Sequence, residues 1–109
     1  MLYLQKEKLT VMALYGLEDN ELSMLKSAIS SVKGVEKAIL YGSRAKGCNK
    51  PFSDIDISLV GKELSINDLL HLHTIIDELS LPYEIDLNIF DRITNEKLKE
   101  YIIRCGIEL

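Results

Sequence analysis

With 109 residues the chain is long enough for one compact domain that removes roughly two thirds of its unfolded surface from water, and all of 1–109 is read as that domain. Hydrophobic residues make up 47% and charged residues 28%, which excludes a disordered or fibrous chain. A formal charge of −4 gives no general attraction for nucleic acid or an anionic membrane, so phosphate chemistry would have to rest on local groups.

The two cysteines, Cys48 and Cys105, stand far apart without a C-x-x-C or histidine partner pattern, which argues against a disulfide staple or zinc site and for a reducing cytoplasm. Lys6, Glu7 and Lys8 interrupt the first apolar residues before a signal-peptide core forms, and no stretch approaches the roughly 18 apolar residues of a membrane span. A cytoplasmic protein is expected.

In chain order, residues 1–16 follow no clean period and read as an irregular, mobile arm. From Asp19, the residues Leu22, Leu25, Ile29 and Val32 recur at three- and four-residue spacing, with Asp19 and Glu21 in the first turn and Gly34 beyond the end: an amphipathic helix. Val35 to Tyr41 ends in a dense apolar run and reads as a central strand. Gly42 breaks it, and the loop to Ser53 carries the turn residues Gly47, Asn49 and Pro51.

A second strand opens at Asp54, with Ile55, Ile57 and Leu59 on one face and Asp54, Asp56 and Ser58 on the other. Ser65 caps a second amphipathic helix that ends near Ser80 and is stopped by Pro82. Tyr83 to Phe90 alternates again, setting Ile85, Leu87 and Ile89 against Glu84, Asp86 and Asn88. Thr94 is expected to cap a last helix, with Gly106 as its C-cap. The predicted fold is α/β (α+β): a small mixed three-stranded sheet with helices packed on one face.

The polar residues suggest a chemistry. Asp54 and Asp56, two apart on a strand, leave the same face with Cα atoms about 6.6 Å apart. Their carboxylates suit a pair of divalent cations of the kind that hold attacking and leaving oxygens in a phosphoryl transfer. Asp86 joins them if its strand pairs beside the second one, although Glu84 shares its face and a slipped register would exchange the two. Oxygen donors of this type favour Mg²⁺ or Mn²⁺. Gly42 lets backbone approach a phosphate closely, a short helical turn over Ser43 to Lys46 points amides at an anion, and Arg44 and Lys46 add charge.

Gly-Ser at 42–43, then ten residues, then Asp-x-Asp at 54–56 resembles the signature of the DNA polymerase beta-like nucleotidyltransferase superfamily. The fuller run Y-G-S-R-A-K-G, closing in S-D-I-D-I, is similar to its smallest branch, the minimal nucleotidyltransferases, and in particular the MntA-type antitoxins. The resemblance implies a mixed sheet backed by helices with an open catalytic face. It also implies two Mg²⁺ ions on Asp54 and Asp56, with Asp86 as third ligand and base. Gly42 and Ser43 would bind the β- and γ-phosphates of ATP, with Arg44 and Lys46 beside them.

In this branch the enzyme transfers AMP to a tyrosine of a small all-helical HEPN-type toxin, so the implied partners are ATP and such a protein, with no nucleic acid or membrane. Two other functions fit the same fold. One is a binding module that caps its partner stoichiometrically; the other is a small-molecule, aminoglycoside-type transferase with its acceptor pocket between the subunits of a homo-oligomer.

Overall fold

The computed structural model describes residues 14–109, so residues 1–13 of the expected arm lie outside the described part. Residues Leu14–Gly16 form a single 3-10 turn leading into helix α1, Asp19–Ser30. The acidic first turn closes on itself where the Glu18 amide donates to the Glu21 carboxylate at 3.0 Å. Strand β1 (Lys37–Tyr41) follows, then a one-turn helix α2 (Ser43–Lys46) and strand β2 (Ile55–Val60). Helix α3 (Ile66–Asp77) is capped by Ser65, whose hydroxyl accepts from the Asp68 amide. Strand β3 (Ile85–Ile89), helix α4 (Glu96–Cys105) and the two-residue strand β4 (Ile107–Glu108) complete the order.

The sheet is mixed, as the family resemblance implied, but has four strands rather than three, in the order β3-β2-β1-β4. β1 runs antiparallel to β2 and to β4, whereas β2 and β3 are parallel because α3 carries the chain back between them. The extra strand forms because Gly106 lets the chain leave α4 closely enough to reach β1: a Cβ there would collide with the Ile39 side chain and the Ile102 carbonyl. Gly106 thus ends the helix as expected, but with an extended backbone rather than a left-handed one. The cap at the other end is Asn95, not Thr94; its side chain accepts from the Leu98 amide at 3.2 Å.

One face of the sheet carries the core. Ala38 and Leu40 of β1, Ile55, Ile57 and Leu59 of β2 and Leu87 and Ile89 of β3 pack against Leu22, Leu25, Ala28 and Ile29 of α1 and Leu72 and Ile76 of α3. The expected helical layer is therefore α1 with α3. Helix α4 leans on β1, with Ile102 only 1% exposed and Gly106 against Ile39, a residue that alternates away from Ala38 and Leu40. At the strand starts beyond that cover, Asp54 and Asp86 stay exposed. No described helix is long and apolar enough to cross a membrane.

Ile57, on an inner strand and with no exposed surface, tests the core. Ile57→Ala is expected to cost about 2–5 kcal/mol, the range for a buried Ile truncation that leaves a cavity. In urea titrations the midpoint should fall with an unchanged slope.

Candidate active site

The parallel ladder sets Asp56 directly opposite Asp86, with Ile55 opposite Ile85 and Ile57 opposite Leu87. That register excludes the slipped alternative in which Glu84 replaces Asp86. Neighbouring strands lie about 4.8 Å apart, so the two carboxylates leave one face side by side. Asp54 sits just before β2, exposed. It is close enough to act on Asp56: that half-buried carboxyl is pushed above the usual carboxylate range, by burial first, then by the charges of Asp86 and Asp54. Asp54, Asp56 and Asp86 thus lie at one end of the sheet.

Gly42 borders them. Its backbone (φ 82°, ψ −155°) lies in a region that only glycine adopts readily, and a Cβ there would sit 2.5 Å from Oδ2 of Asp56. The turn and the carboxylate therefore touch, and any side chain at 42 would separate them. From this turn α2 begins at Ser43, so the Ser43, Arg44 and Ala45 amides have no carbonyl one turn earlier to bond to.

A polar network that sequence alternation did not single out lies beside the aspartates. Ser58, fully buried despite being on the polar face, donates to Oδ1 of Asn88 at 2.6 Å, and Nδ2 of Asn88 donates to the Tyr41 hydroxyl at 2.7 Å. Tyr41 is buried and its pKa is raised, by burial first and further by Asp56 and Asp86, against the Asn88 hydrogen bond, which lowers it. The signal available in the sequence was the shared alternation: Tyr41, Asp56 and Asp86 form one row, and Ser58 and Asn88 part of the next.

Arg44, expected to bind phosphate, does not lie free in the loop. It is 1% exposed, and all five of its N–H groups are used. Nε donates to the Ser53 carbonyl at 3.1 Å, Nη1 to those of Tyr15 and Gly16 at 2.9 and 3.2 Å, and Nη2 to those of Pro51 and Ser53 at 3.4 and 2.8 Å. Its Cζ also stands 4.6 Å from the centre of the Tyr83 ring. No donor remains for a phosphate, so Arg44 fixes the loop instead. Lys46 stays exposed, but its ammonium lies 5.0 Å from the centre of the Tyr101 ring on α4. A phosphate contact from Lys46 would require it to leave that ring.

The model for the family "Polymerase beta, Nucleotidyltransferase" matches residues 23–109, and the chain belongs to that family. Its members generally use a nucleoside triphosphate and a divalent metal. Among solved structures, the chain is similar to a protein of Sulfolobus solfataricus, provisionally assigned as a nucleotidyltransferase and solved at 1.40 Å. The two share 23% identity over 83% of this chain and 82% of that one, with a TM-score of 0.47. Among curated proteins none matches the chain.

The residues present fit such a metal. The donors are hard carboxylate oxygens and register neighbours, and the pKa of Asp56, raised by burial first and then by the charges of Asp86 and Asp54, belongs to a carboxyl whose charged form a divalent cation would favour. Among the described residues, no group of three or more His, Cys, Asp or Glu side chains stands as a ready-made metal site. His71 is exposed and His73 half-buried, both on α3 rather than on these strands.

Two outcomes test this arrangement. Arg44→Lys cannot reproduce the planar five-donor fork and leaves carbonyls of Tyr15, Gly16, Pro51 or Ser53 unpaired, so it should cost about 2–4 kcal/mol in denaturant unfolding. The second outcome follows from the raised pKa of Asp56, because the folded chain keeps that proton to higher pH than the unfolded chain does. Its contribution to stability is full below the ordinary carboxylate pKa and is lost as pH rises through the raised one. In chelator-treated protein, Asp56→Asn should therefore melt higher than the wild type at pH 7, with the gap closing towards pH 4; a lower melting point at pH 7 would reverse the sign.

Proposed function

We propose that the protein is an active nucleotidyltransferase that moves AMP from ATP to a hydroxyl, a tyrosine of a small all-helical partner protein, and thereby acts as the antitoxin of a pair. The observation that carries the transfer chemistry is the pairing of Asp56 with Asp86 beside the Gly42 turn. The protein acceptor is supported by the likeness of Y-G-S-R-A-K-G and S-D-I-D-I to the minimal branch of the superfamily.

Asp54, Asp56 and Asp86 would hold two Mg²⁺ ions, with Mn²⁺ as a substitute. When bound, these ions supply positive charge for the attacking and leaving oxygens of an in-line transfer. The amides at the start of α2 and the Ser43 hydroxyl hold the β- and γ-phosphates, and the absent Cβ of Gly42 leaves them room beside Asp56. Asp86 takes the proton of the acceptor hydroxyl. The acceptor oxygen bonds to the α-phosphorus as the bond from that phosphorus to pyrophosphate breaks. Tyr41 and Asn88 hold the base of the site in shape through their shared hydrogen bond.

Calorimetric titration with a non-hydrolysable ATP analogue should show binding that requires Mg²⁺. Asp54→Ala should lower transfer at least about a hundredfold, since loss of an outer-shell partner alone costs 10–100-fold. A mass spectrum of the helical partner after incubation with ATP should show one added AMP on tyrosine. A double variant, Asp54→Asn with Asp56→Asn, that still neutralised the partner would instead establish stoichiometric capping.

A further inference from the structure

Phe52 is the most exposed large hydrophobic residue among those described, at 73%, and has no place in the core. Burying such a ring is worth about 1.5–3 kcal/mol, which a flat apolar ligand could supply here. The ring is not on a slack loop. Lys50 to Ser53 form a tight turn, with the Ser53 amide donating to the Lys50 carbonyl at 3.1 Å and the Lys50 amide to the Ser53 hydroxyl at 2.8 Å. Pro51 and Phe52 occupy its two central positions, where proline presets the backbone. The carbonyls on either side of Phe52, those of Pro51 and Ser53, are both held by the buried Arg44. An apolar ring is thus held out to solvent by a locked backbone.

Its place is beside the carboxylates. Phe52 is two residues before Asp54, a Cα separation of at most about 7 Å, which a nucleoside can span. The ordering entropy of the loop is already spent on folding, so a flat ligand can stack there at little further cost. An aromatic face serves any nucleobase, because every base has a π-face.

We propose that Phe52 is the stacking platform for the base of the nucleoside triphosphate, an inference that rests on the triphosphate reading of the Gly42 turn. The ring contributes affinity without reading the base edge, so ATP and GTP analogues gain from it alike.

The test separates the base from the phosphates. Phe52→Ala should weaken binding of a non-hydrolysable ATP analogue with Mg²⁺ by roughly five- to a hundredfold, the loss seen when a base–aromatic stack is truncated. Binding of Mg²⁺ with inorganic tripolyphosphate should stay within twofold. Since the residue is exposed, the variant should fold normally. The chain contains no tryptophan, so Phe52→Trp places a single reporter at the site. Its emission should change with the ATP and GTP analogues and not with tripolyphosphate.

Nucleotide affinity unchanged in Phe52→Ala, or an equal loss for tripolyphosphate, would overturn the stacking role. The same holds if only the KM for the acceptor rises, since the ring would then belong to the acceptor. If tripolyphosphate binding by the wild type needs Asp54 while Phe52→Ala is silent, only the stacking falls. If the wild type binds neither ligand, the triphosphate reading falls and takes the platform with it.

Discussion

The buried guanidinium of Arg44 is the constraint on which the site depends. A cation taken out of water costs several kcal/mol unless its donors are met, and here they are met by backbone carbonyls and a tyrosine face. Those carbonyls belong to Tyr15 and Gly16 before α1 and to Pro51 and Ser53 before β2, so satisfying one side chain draws two distant segments together. Tyr83, whose ring receives Arg44, donates its hydroxyl to Glu21 at 2.8 Å and leads into β3. The Ile55 amide donates to the carbonyl of the next residue, Glu84, at 2.9 Å. The start of α1, the loop before β2 and the start of β3 are thus tied at the end where the aspartates sit.

That anchorage lets the chain hold like charges together. Two carboxylates about 5 Å apart repel by roughly 3 kcal/mol at an effective dielectric of 20, and the pKa of Asp56 is raised by burial first and then by the charges of Asp86 and Asp54. Relaxation would require β3 to slip against β2, but a shift of one residue would turn Leu87 and Ile89 away from the core. The apolar face therefore fixes the polar one. The Tyr41–Asn88–Ser58 network adds to this, because its donors and acceptors on β1, β2 and β3 are paired in this register.

What the sequence revealed and what it hid follow from the range of the interactions. The alternation in D-I-D-I-S-L and E-I-D-L-N-I is local, so the faces of β2 and β3 and the grouping of the three aspartates could be read directly. The role of Arg44 could not. In sequence it is a basic residue after a glycine turn, the usual setting of a phosphate ligand, and its burial depends on carbonyls as far as 28 and 29 residues away. β4 is two residues long, too short for any period to show, and depends on a glycine that lets backbone pass Ile39. Asn88 looked like an outward polar residue of an alternating strand; it is half-buried and links Ser58 to Tyr41, partners 30 and 47 residues away. At the last helix, Thr94 and Asn95 both suit a cap, and the backbone selects the one whose side chain reaches the Leu98 amide.

The strand order also gives the proposed reaction a direction. Across the sheet the sequence of parts is Asp86 on β3, Asp56 on β2, then Tyr41 and the Gly42 turn on β1. A triphosphate with its terminal phosphates on the turn would bring its α-phosphorus towards β2 and β3. Pyrophosphate would then depart on the β1 side and the attacking hydroxyl would arrive on the other. Among the described residues β3 is an edge strand, and Asp86 on it is exposed. A bulky acceptor such as a folded protein can therefore present a tyrosine over that edge without displacing any element of the sheet. Had β1 and β3 exchanged places, the same residues would direct the acceptor towards β4 and α4, where Ile39, Ile102 and Gly106 are already in contact.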